Sequence, residues 1–144
     1  ILRLLGHLII MLGKQHYIPK RIFMSIIIIV YILNSTLLLL HEIESAYEKE
    51  WELLKLPVKI SGFLLLHIPI ILIIFYGLIE LTNFSKAGLI ISFILGIGGI
   101  IPFLVHKIFV KRNGHFNLFL SNAIIYLNAL IGLVLAALSI RYFA

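Results

Sequence analysis

A chain of 144 residues that is 62% hydrophobic, only 12% charged and of mean hydropathy +1.15 has more apolar surface than a soluble core can hide, since soluble domains carry about 25% charged residues. The absence of cysteine excludes disulfides, thiolate catalysis and Cys-type zinc sites. The net charge of +6 comes from Lys and Arg flanking apolar runs, without an aromatic-interleaved basic patch; nucleic acid is thus not an expected partner, and lipid headgroups are.

Residues 1–13 are apolar but too short to cross a bilayer, and an interfacial helix is expected there. The polar segment 14–21 follows, in which Pro19 suits a helix start and Lys20 and Arg21 suit the membrane interface. Four apolar stretches then come at about 22–40, 60–81, 87–105 and 117–140. Each has close to the ~20 residues that a helix needs to cross ~30 Å of hydrocarbon. The expected fold is an all-α, integral membrane four-helix bundle, built as one transmembrane domain over 1–144.

Between Arg21 and Pro57 there is neither Gly nor Pro, and the Glu-, Lys- and Leu-rich segment after the first span favours helix. The first helix is therefore expected to run on to about Trp51. Span two carries His67 and Pro69, and Pro inside a transmembrane helix is tolerated with a tendency to kink. Ser85 or Asn83 is a suitable N-cap for span three, which makes spans two and three an antiparallel hairpin. Span three holds Gly96, Gly98, Gly99 and Pro102 and is expected to be the most bent. These glycines read as packing or kink positions rather than a phosphate loop. Asn113-Gly114 reads as the turn into span four.

Lys and Arg divide equally between the two membrane sides. The basic flank of the first span places the N-terminus in the cytoplasm. The excess of isoleucine over valine suggests an AT-rich bacterial genome, so a bacterial inner membrane is the expected location.

An even number of spans brings the end of span one, the start of span two, the end of span three and the start of span four to one membrane face. His41, Glu44, His67, His106, His115 and Asn122 all fall near it. His67 lies ~10 Å into span two at 1.5 Å per residue. His41, Glu44 and Glu48 are spaced i, i+3 and i+7 and share one helical stripe, which Asn34 extends into the membrane and Glu52 continues outward. Glu50 lies off it. Ser92, Gly99 and His106 are heptad-spaced, and small residues there let a neighbouring helix approach. His115, Asn122 and Tyr126 form a corresponding row on span four. Glu-x-x-His pairs on facing helices build metal sites in soluble bundles, and His41-x-x-Glu44 has the same i, i+3 geometry. Ionisable residues inside a membrane are functional candidates by default. Read singly, the interfacial histidines fit headgroup contacts, the glutamates fit a solvated acidic face, and Tyr47 and Trp51 fit an aromatic belt.

The run His41-Glu42-Ile43-Glu44-Ser45-Ala46-Tyr47-Glu48-Lys49-Glu50-Trp51 resembles small bacterial four-span membrane proteins of uncharacterised function that carry an H-E-x-E-S-A-Y-x-K-E-W motif, over residue 20 to the end. More distantly, the chain resembles membrane proteins with a His-x-x-Glu-Glu motif, with Ser45 where the second Glu would stand. Neither resemblance implies a reaction.

The residues themselves point to a membrane-embedded, metal-dependent enzyme acting on a lipid or other apolar small molecule. The expected metal donors are His41, Glu44, Glu48, His67 and His106, and the expected catalytic groups are His41, Glu44, His67 and Asn122. Neutral His with carboxylate suits Zn or Fe better than Mg. The alternative is a non-enzymatic accessory or structural subunit, or a small binding or transport protein, with a homo-oligomer or another membrane protein as partner.

Overall fold

A computed structural model describes residues 20–53, 55, 57–109 and 119–143. The helix expected over 1–13, His7, His16, His115 and the Asn113-Gly114 turn lie outside them. The described residues form α1 (Lys20–Tyr47), a short α2 (Glu50–Leu53), α3 (Ile60–Thr82), α4 (Lys86–Leu104), a π turn (Val105–Phe109) and α5 (Phe119–Phe143), with no strand among them. Four helices are long and apolar enough to cross a membrane, over Ile22–Tyr47, Ile60–Thr82, Lys86–Lys107 and Phe119–Phe143. This is the all-α, four-span architecture expected.

Local chemistry explains the boundaries. Ser85 caps α4, its hydroxyl accepting the Gly88 N–H at 3.0 Å, so one of the helix's orphan donors is satisfied. Phe84 turns the hairpin with φ of 58°. Helix α3 continues through Pro69.

One expected boundary moves. Helix α1 stops at Tyr47, short of the expected Trp51, and Lys49 takes a left-handed φ of 52°. A lysine is an uncommon residue in that region, so composition gives no warning of the break. Its effect is to fold α2 back on the bundle. Trp51, expected in an aromatic belt, is instead 7% exposed and packs on Phe63 with ring centroids 5.3 Å apart.

The bundle is tightest where side chains are smallest. Helices α4 and α5 share the most extensive interface, and their backbones meet at Gly96 and Gly132. A Cβ on Gly96 would stand 2.7 Å from the Gly132 carbonyl oxygen, and one on Gly132 would stand 2.4 Å from that of Gly96. Lipid gives no hydrophobic drive for helix association, so such close backbone approach supplies the packing energy. Beside this seam, Asn34 of α1 donates from Nδ2 to the Leu95 carbonyl at 3.0 Å. Its Oδ1 fills the space that Gly99 leaves, 2.5 Å from where a Cβ would sit. Asn34, Asn128 and Ser92 are fully buried.

Helix α3 is held differently at its two ends. Its buried residues, Ile74, Gly77 and Leu81, all lie in the hairpin half. There Tyr31 donates to the Ile74 carbonyl at 2.7 Å. Gly88 lies so close to the α3 backbone that a Cβ would be 2.4 Å from the Leu81 nitrogen. The half from Ile60 to Ile73 has no buried residue. Helices α3 and α4 thus part as they leave the hairpin and leave a cleft at the other membrane face.

Candidate functional site

The cleft has a volume of about 390 Å³, and the ends of α1, α2, α3 and α4 form its walls. Six polar side chains reach it: His41, Glu42 and Ser45 from α1, Glu50 from α2, His67 from α3 and His106 from the π turn. The remaining lining is apolar, including Phe63, Ile101 and Pro102.

Three of the six converge. Nitrogen atoms of His41 and His106 and a carboxylate oxygen of Glu50 all lie within 4.8 Å of one another. His106 Nε2 stands 2.8 Å from Glu50 Oε1, and the two imidazoles meet edge-to-face with centroids 5.3 Å apart. His41 and His106 are each 4% exposed. The other Glu50 oxygen accepts a hydrogen bond from Ser45, and His41 Nδ1 is buried without a hydrogen-bond partner. Tetrahedral donors held ~2.0–2.2 Å from one ion stand about 3.3–3.6 Å apart, so sharing a cation needs the widest pair of the three to close by about an ångström and the His106–Glu50 contact to open.

Burial would push the Glu50 carboxyl up. The hydrogen bonds from His106 and Ser45 and the nearby His106 and His41 charges outweigh it, and the group is held below its ordinary value. It is thus an anion at neutral pH and suited to a cation.

Glu50 enters by way of the break at Lys49. Nine residues separate it from His41, about two and a half turns at 3.6 residues per turn, so an unbroken helix would point it to the opposite face. The turn at Lys49 reverses this and brings it beside His106. Of the residues expected from the sequence, the converging group therefore includes His41 and His106. Glu44 and Glu48, on the expected stripe, are not part of it, though Glu44 keeps one carboxylate oxygen buried without a hydrogen-bond partner. Asn122 is half-buried on α5 and does not line the cleft.

His67 stands on the opposite wall and is tied to Glu42 rather than to the group of three. Its Nε2 is 2.8 Å from Glu42 Oε2 and its Nδ1 is 2.7 Å from the Phe63 carbonyl, with the Phe63 ring stacked on it at 4.0 Å. A carbonyl only accepts, so Nδ1 is the donor towards Phe63 and Nε2 is the ring atom that faces the Glu42 carboxyl. Glu42, next to His41 in sequence, faces α3 because adjacent helical residues point to different sides. The stripe argument passed it over for that reason.

The fold and the polar cleft define a four-span helical membrane protein with a buried His/Glu group at one end of its bundle. A family model matches residues 27–142, and the chain belongs to that family, the family of unknown function DUF6713. No curated protein and no solved structure matches the chain.

Proposed function

We propose that this chain is a membrane-embedded enzyme that holds Zn or Fe through His41, Glu50 and His106 and acts on a lipid or other apolar small molecule. The observation that carries the reading is the convergence of two buried histidines and a partly buried glutamate within 4.8 Å at the polar end of an otherwise apolar cleft. Two imidazoles and one carboxylate are a donor set that suits Zn or Fe. Three protein ligands leave a coordination position for water or substrate, and the ion would supply Lewis-acid chemistry there. Ser45 orients the Glu50 carboxylate, as outer-shell partners of metal ligands do. The His67–Glu42 pair lines the same cleft, where it would serve as the acid/base group of the reaction.

Elemental analysis of the purified full-length protein tests the reading. Wild type is expected to carry Zn or Fe, and His41→Ala, Glu50→Gln and His106→Ala are each expected to lose it while the bundle stays folded. A metal-free wild type that takes up neither ion on titration overturns the reading in favour of an accessory role.

A further inference from the structure

The cleft does not end at its apolar walls. A second cleft of about 210 Å³ adjoins it deeper in the bundle, and Leu38, Ile70 and Gly98 line both. Ile73, Ile74, Ile91, Ile94 and Leu95 complete the second one, so its lining is apolar throughout. Ile70, Ile73 and Ile94 are exposed. The space between α3 and α4 is therefore open sideways, at a depth where the surroundings are hydrocarbon.

Gly98 makes the junction. A Cβ built on it meets nothing within 4 Å, unlike Gly96 two residues earlier. From His106 to Ile91 the two clefts follow fifteen residues of helix, ~22 Å at 1.5 Å per residue, out of a hydrocarbon core of ~30 Å. One end holds a His/Glu group and the other is purely aliphatic. The slot has the polarity profile of a single-chain amphiphile lying along the bilayer normal, head at the interface.

The head chemistry follows from the donor charges. Two neutral imidazoles and one carboxylate leave a divalent ion with one uncompensated positive charge, which an anionic oxygen completes. We infer that the paired clefts bind an oxygen-headed, single-chain amphiphile of the fatty carboxylate class, its chain running past Gly98 between α3 and α4. The inference rests on the proposed metal reading for the head and on the apolar geometry alone for the chain.

Photolabelling of the full chain in vesicles with palmitate tests this, using one probe with a diazirine at the chain terminus and another with it beside the carboxylate. The terminal probe is expected to label Ile73, Ile91 or Ile94, and the head-proximal probe to label Phe63 or Val105. Gly98→Phe, which fills the junction from α4, should lower terminal labelling about tenfold or more with metal content unchanged. Ile70→Trp fills it from α3 and should do the same, which guards against misfolding of either variant. If both probes label Leu130 and Leu133 on α5 as strongly as the slot, or if neither variant reduces labelling, the palmitate is ordinary annular lipid and the inference fails. Crosslinking of the slot to a helix of another protein in native membranes also overturns it. Slot labelling that persists in His106→Ala supports the chain slot and counts against the metal anchor alone.

Discussion

Helix α4 meets its two neighbours in opposite ways, and two glycines two residues apart show the difference. Gly96 presses its backbone against Gly132 of α5, with no room for a methyl group. Gly98 faces the space between α3 and α4, where a methyl group would touch nothing. One side of the helix is a dry seam that holds the bundle together. The other is a cleft whose far wall, the outer half of α3, has no buried residue. The same residue type thus serves close packing on one face and an opening on the other. A membrane protein can afford the second only because the first is so well packed: lipid does not drive the helices together.

The largest way to break this comparison is at the seam. Gly96→Leu should cost about 3 kcal/mol or more, since the backbone it strikes cannot move as a side chain can, and thermal unfolding in detergent should show it. Gly98→Ala should stay within about 1 kcal/mol of wild type in the same assay, helped by alanine's better helix propensity. Equal losses at the two positions would refute the distinction.

The next effects are on the cleft side. His41→Ala and His106→Ala should lower Zn affinity more than about 100-fold, whereas Ser45→Ala, which only unseats Glu50, should cost ~10–100-fold. Glu44→Gln and Glu48→Gln should bind like wild type. Calorimetric titration of the purified variants gives the ranking, and a Glu44→Gln loss matching that of His41→Ala would restore the original stripe as the donor set.

A smaller effect is pH-dependent. The Glu50 carboxyl is held below its ordinary value in the folded protein, so folding favours its ionised form. That contribution is fully present above the unfolded value of ~4.3 and is lost as pH falls through the folded one. The metal-free protein should therefore lose stability on the acid side, and Glu50→Gln should flatten that limb of the pH–stability curve. An unchanged acid limb would show that Glu50 is not ionised in its pairing with His106.

The smallest expected effect is at the looser wall. Glu42→Gln removes the partner of His67, but the Glu42 side chain keeps 27% of its exposure, and partly solvated pairs contribute only ~0–1 kcal/mol. A loss well beyond that would mean that the pair, and not the hairpin half, fixes the outer end of α3.

The amino-acid sequence by itself determined the four spans, a hairpin capped by Ser85 or Asn83, and the membrane face at which His41, His67 and His106 gather. These follow from apolar run length, local capping chemistry and the parity of the spans, none of which needs contacts between distant residues. Helical periodicity also placed Ser92, Gly99 and His106 on one side of the third span, and the structure buries all three, the first two on α4 and His106 on the π turn that follows it. What the tertiary structure decided is which acidic residue stands beside those histidines. Periodicity extrapolates along an unbroken helix, and a lysine carries no sign that it will adopt a positive φ. The turn at Lys49 is settled by what it allows Trp51 to bury against Phe63 and what Glu50 meets at His106. The separation of α3 from α4, and with it the opposite roles of Gly96 and Gly98, likewise depends on how three helices pack at once, which no single stretch of chain encodes.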